Sequence, residues 1–238
     1  MAEALPTLLI PGLAATPRLF AEQLAPLWRL GPVLVADHRR ADSMAGIAAS
    51  ILVHAPPRFR LLGLSMGGYI AFEIMRQAPE RVSALALLDT SARPDALEQT
   101  QAREEQIGLA HERGMRVVAL AMFPRLVHPL RVRDSELEAV VLQMAAETGA
   151  DAFERQQRAI MTRPDSRPSL AAIACPTLMI VGDEDQITPP PVAQEITAGI
   201  SRTKLVVIPD SGHLSTLERP EAVTRALLAE WGHAGESK

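Results

Sequence analysis

The chain has 238 residues, 47% of them hydrophobic and 22% charged, which suits one large buried core and excludes a disordered or fibrous class. Its formal charge of -4 includes only one adjacent basic pair, Arg39 and Arg40, so the basic stripe of a nucleic-acid binder is absent. A lone cysteine, Cys175, excludes an intrachain disulfide and reads as a buried structural thiol, and no run of about 18 apolar residues offers a membrane span.

In chain order, the opening MAEALPTLLIPGL carries Glu3, Pro6 and Pro11 but no basic segment. It reads as a turn and a short strand rather than a secretory signal, so a cytoplasmic protein is expected. TLLI (7 to 10), VLVAD (33 to 37), FRLLGL (59 to 64) and VSALALLD (82 to 89) are strand candidates, each short, apolar and bounded by Pro, Gly or charge. Helix candidates lie between them at 18 to 30, 43 to 54 and 65 to 77. That alternation implies a mostly parallel sheet flanked by helices, an α/β class.

From 95 to 163 the strand-like runs stop and helical spacing takes over, as in Met115, Val118, Ala119 and Met122, or Leu137, Val140, Val141 and Met144. Ser135 and Glu138 read as a capping box opening the second of these helices. Strands return at TLMIVGD (177 to 183) and KLVVIPD (204 to 210), with helices at 191 to 200 and 220 to 231. A core of 1–94 and 169–238 is therefore expected around a helical insertion at 95–168.

Gly63-Leu64-Ser65-Met66-Gly67 is a G-x-S-x-G pattern set between a strand and a helix. In such a turn the serine sits in a strained conformation with its hydroxyl exposed, and only glycine fits two residues to either side. A serine hydroxyl needs a base, and the base needs an orienting acid. Of six histidines, His213 is best placed, directly after the last strand in PDSGHLSTLERPE. His38 also follows a strand, but DHRRADS reads as a surface turn; His54, His111, His128 and His233 read as exposed or satisfied side chains. Asp183 and Asp185 in VGDEDQITPP are both candidates for the acid, whereas Asp89 and Asp210 read as turn or cap residues.

GLSMGG, GDEDQITP and SGHL, in that order, resemble the α/β-hydrolase superfamily over essentially the whole chain. Within it, LLDTSARPD is similar to small capped bacterial carboxylesterases and 3-oxoadipate enol-lactonases. The resemblance implies an α/β-hydrolase fold with a helical cap after the fourth recognised strand. It implies Asp185 as the acid, since G-x-x-D-x-x-x-P maps onto Gly182, Asp185 and Pro189. It also implies an oxyanion hole from the backbone amides of Met66 and Leu13, although Pro11-Gly12 stands where many members carry His-Gly.

The implied chemistry is hydrolysis of a small, mostly apolar carboxylic ester through an acyl-enzyme, with Ser65 as nucleophile and His213 as base and no cofactor or metal. Met115, Met122, Phe123, Leu137 and Met144, with Phe153 and Met161, are candidates to line the substrate pocket. The expected partner is a small-molecule ester or lactone, with no nucleic acid and no membrane. An enol-lactone carries a carboxylate, so that substrate requires a cap arginine such as Arg113, Arg125 or Arg158 facing the pocket. The scaffold also hosts carbon–carbon bond hydrolases, a lyase of menaquinone synthesis, cofactor-free haloperoxidases and non-catalytic receptors, and fold alone does not choose among them. Epoxide and haloalkane hydrolases use an aspartate where this chain has Ser65.

Overall fold

The computed structural model describes residues 5–232; the expectations for residues 1–4 and His233 lie outside them. Six strands, β1 (Thr7–Ile10), β2 (Val33–Val35), β3 (Phe59–Leu64), β4 (Val82–Leu88), β5 (Thr177–Gly182) and β6 (Thr203–Ile208), form one sheet in the order β2-β1-β3-β4-β5-β6. Every pairing is parallel. The strand order reverses between β1 and β3, and in open α/β sheets the crevice beyond the strand ends at such a reversal is where ligands bind.

The helices are α1 (Ala21–Trp28), α2 (Met44–His54), α3 (Met66–Gln77), α4 (Leu97–Arg113), α5 (Met115–Leu126), α6 (Ser135–Thr148), α7 (Ala150–Met161), α8 (Pro190–Gly199), α9 (Ser215–Glu218) and α10 (Pro220–Trp231). Alternate strand side chains leave to opposite faces of the sheet. Leu8, Ile10, Leu61, Leu87 and Val181 join one apolar cluster with α2, α3 and α8. Leu9, Leu62, Leu64, Leu88 and Ile180 join another with α1, α10 and helices that follow β4. Burying each leucine contributes about 1.5–3 kcal/mol, so burial on two faces explains why β3, β4 and β5 read as almost unbroken apolar runs.

Four helices, α4 to α7, intervene between β4 and β5. Gly114 (φ 82°) links α4 to α5 and Gly149 (φ 76°) links α6 to α7; a β-carbon would meet nothing at either, so glycine serves the backbone angle there. The capping expectation for α6 is corrected. Its N-cap is Asp134, whose Oδ1 accepts from the Leu137 amide at 3.0 Å, and Ser135 is the first helical residue. The predicted strands also ran too far: Asp89 (φ 45°) and Asp210 (φ 52°) leave the extended conformation just beyond β4 and β6.

Candidate active site

Ser65 directly follows β3 at φ 55° and ψ −115° and serves as the N-cap of α3. Holding a non-glycine residue there costs about 1–3 kcal/mol. The turn persists because its neighbours interlock: a β-carbon on Gly63 would strike the Gly67 carbonyl, one on Gly67 the Ile10 carbonyl, and one on Gly68 the Thr90 hydroxyl. Thr90 Oγ1 in turn donates to the Ser65 carbonyl at 2.8 Å.

Ser65 Oγ lies 2.8 Å from His213 Nε2, and His213 Nδ1 lies 2.8 Å from Asp185 Oδ2. The structure thus brings together Ser65, His213 and Asp185, from the loops after β3, β6 and β5. Asp185 also accepts from the Ile187 and Thr188 amides at 2.8 and 2.9 Å and from Thr188 Oγ1 at 2.8 Å. Burial pushes its carboxyl up, but the His213 charge and these hydrogen bonds outweigh burial and hold it at about 2. For His213, burial pulls downward and the carboxylates of Asp185, Asp89 and Glu218 pull harder upward, leaving the ring raised above its ordinary 6.5. Asp183, the other candidate, is exposed and accepts from the Ser211 amide at 3.0 Å.

Asp89 does sit in the bend after β4, but its side chain caps no local turn and reaches distant partners instead. It is fully buried; Oδ1 accepts from the Gly182 amide at 2.9 Å and Oδ2 lies 2.5 Å from Ser215 Oγ. Burial and the Asp185 charge push its carboxyl up to about 8, against the pull of His213 and of the bonds from Ser215 and the Gly182 amide. The unfolded chain loses the carboxyl proton near 3.8, so native stability falls as pH rises from about 4 to 8. Asp89→Asn should remove this loss. Between pH 5 and 8 the Tm of the wild type is expected to fall more steeply than that of the variant, and parallel slopes contradict the assignment.

The Met66 and Leu13 amides have no acceptor among the described residues. Leu13, Ser65 and His213 line a cavity of about 100 Å³ whose outer wall includes Met115, Val118, Met122, Val141 and Met144. Phe123 and Leu137 do not line it, correcting the expectation for those two. Phe123 lies about 40° farther round α5 than Ala119, which does line the cavity, and Leu137 lies one turn before Val141 on α6. Both are buried in apolar packing instead, as is Phe153, and Met161 is replaced in the wall by Ile160.

The arginine facing the cavity is Arg103, which sequence reasoning missed. Arg125 lines an adjoining cavity of about 240 Å³, Arg158 pairs with Glu154, and Arg113 lines neither cavity. His38 is buried at 2% exposure rather than on a surface turn. His111 pairs with Glu154 at 2.8 Å and His128 caps the turn Pro129–Arg131. Burial raises the Cys175 thiol, which suits packing rather than nucleophilic attack.

A family model described as alpha/beta hydrolase fold matches residues 54–220. The chain belongs to the α/β-hydrolase family. A Mycobacterium tuberculosis relative, BpoC, with the provisional name of a non-heme bromoperoxidase, is 31% identical over 71% of this chain. The match spans 66% of that relative, just under two thirds of its length. The 3-oxoadipate enol-lactonase 2 of Acinetobacter baylyi is 27% identical over 80% of this chain and 70% of its own. Among solved α/β-hydrolase structures, a thermophilic esterase from Thermogutta terrifontis superposes with TM-score 0.88 at 30% identity, covering 99% of this chain and 92% of that one. Family and relatives together support a hydrolase. No helix among the described residues is long and apolar enough to cross a membrane.

Proposed function

We propose that the protein is a serine hydrolase of small, mostly apolar carboxylic esters, acting through an acyl-enzyme, with residues 95–168 as a cap over a core of 1–94 and 169–238. The observation that carries this reading is the unbroken relay from Ser65 Oγ through His213 to Asp185 at the floor of an apolar cavity. Ser65 Oγ attacks the ester carbonyl carbon while its proton passes to His213 Nε2. The amides of Leu13 and Met66 take up the charge on the carbonyl oxygen, a role in which losing one donor costs about 3–4 kcal/mol. The alkoxide then leaves as an alcohol, taking the proton from His213. Water attacks the acyl-enzyme, gives its proton to the same nitrogen, and the carboxylic acid departs as Ser65 regains its hydrogen.

At about 100 Å³ the cavity is well below the roughly 300–1,000 Å³ of pockets that hold drug-sized ligands. Short acyl groups therefore fit best. With 4-nitrophenyl esters from acetate to decanoate, kcat/KM is expected to be highest at acetate to butyrate and to fall as the chain lengthens. A maximum at octanoate or decanoate, or no turnover, contradicts this reading. A lactone or ester that itself carries a carboxylate is the second reading, since Arg103 lines the cavity, but it ranks below the first because that guanidinium is already paired with Asp95 and donates to Gln157 Oε1 at 2.8 Å.

A further inference from the structure

The proposed chemistry makes no use of His38 or Gln156, yet both are buried, at 2% and 0% exposure, beside the loop that carries Leu13. We propose that His38 and Gln156 clamp this loop so that the Leu13 N–H stays aimed at the substrate oxyanion, which makes both of them positioning residues. The proposal rests on the serine-hydrolase reading above.

The reasoning begins with the peptide plane. The Gly12 carbonyl and the Leu13 N–H belong to one planar trans unit and point in opposite directions, so fixing one aims the other. His38 Nε2 lies 2.9 Å from the Gly12 oxygen, which also accepts from the Ala15 amide at 3.3 Å. Because a carbonyl can only accept, Nε2 carries the ring hydrogen. The same nitrogen lies 3.1 Å from Gln156 Nε2, an amide nitrogen that can only donate, so with the hydrogen on the ring nitrogen this contact is no hydrogen bond and Gln156 acts on the loop through its Oε1. Burial lowers the His38 pKa, and Nε2 carries its hydrogen both in this neutral tautomer and in the protonated ring, so the donor persists across pH.

The next peptide plane is held from the other side. The Ala14 N–H donates to Gln156 Oε1 at 3.0 Å, and Ala14 sits at φ 53°, a conformation that needs such support. Both planes flanking Leu13 are therefore fixed, while the Leu13 amide itself has no acceptor among the described residues. An amide aimed before substrate arrives needs no reorganisation during the reaction. Gln156 belongs to α7, whose Arg155 Nε also donates to the Arg39 carbonyl at 2.8 Å, beside His38. α7 thereby sets the aim of the Leu13 amide.

The test compares His38→Leu, His38→Gln and Gln156→Leu with the wild type. The readouts are kcat and KM on 4-nitrophenyl acetate, Tm, and inhibition by a trifluoromethyl ketone, whose adduct on Ser65 carries an oxyanion. His38→Leu and Gln156→Leu should each lower kcat about 10- to 100-fold with KM within about twofold, and weaken the ketone in proportion. His38→Gln, which restores an N–H donor, should recover most of the loss. Should His38→Leu fail to fold, Gln156→Leu leaves the histidine in place and carries the same comparison. Unchanged kcat, or a loss of Tm with ketone affinity intact, overturns the clamp alone. A wild type without Ser65-dependent turnover overturns the hydrolase reading and the clamp with it.

Discussion

Ser65→Ala is expected to lower kcat on short 4-nitrophenyl esters by about 10⁴- to 10⁶-fold, the scale on which removal of a triad nucleophile acts. The size of the effect follows from the chemistry: among the described residues no other hydroxyl lies within hydrogen-bond reach of His213 Nε2, and the 2.8 Å contact from Ser65 goes with the side chain. The fold should tolerate the change. Ser65 makes no side-chain cap bond to α3, and alanine meets the same backbone angle of φ 55° that serine already adopts. A Tm within a few degrees of wild type is therefore expected alongside the lost turnover. Residual activity above about one hundredth of wild type contradicts the nucleophile assignment.

The second large effect separates two neighbouring aspartates. Asp185→Asn is expected to cost about 10⁴-fold in kcat, whereas Asp183→Asn should cost less than about threefold. An asparagine at 185 can keep the bonds from the Ile187 and Thr188 amides through its oxygen, which turns its NH₂ toward His213 Nδ1. The ring must then place its hydrogen on Nε2, where it can no longer accept the Ser65 proton. Asp183 touches none of this; its recorded bond is to the Ser211 amide, which an asparagine oxygen accepts equally well. Since Asp185 is held at about 2, the wild type keeps its charge throughout the neutral range, and the contrast should hold from pH 6 to 9. Comparable losses in both variants, or a larger one at Asp183, contradict the assignment.

The Ser65 turn was legible in the sequence because steric exclusion writes itself as glycine. Gly63, Gly67 and Gly68 each face backbone or side-chain atoms where a β-carbon would stand, and no other residue type fits. The parallel sheet was legible because two-sided burial writes itself as apolar runs. What sequence reasoning lost were features that depend on distant partners. His38 reads as part of a charged turn until Gly12 and Gln156, 26 and 118 positions away, close over it. Asp89 reads as a turn residue until β5 and α9 supply the Gly182 amide and the Ser215 hydroxyl. Helical spacing named the right faces of α5 and α6, but how far along each face the cavity reaches depends on packing, which is why Leu137 was included and Val141 was not.

The most direct measurement is intact-mass analysis after treatment with a small fluorophosphonate, followed by mapping of the modified peptide. The wild type should gain one adduct, on the peptide bearing Ser65, and Ser65→Ala should gain none. A wild type that stays unmodified while folded, or an adduct that persists in Ser65→Ala, contradicts an activated serine at this site.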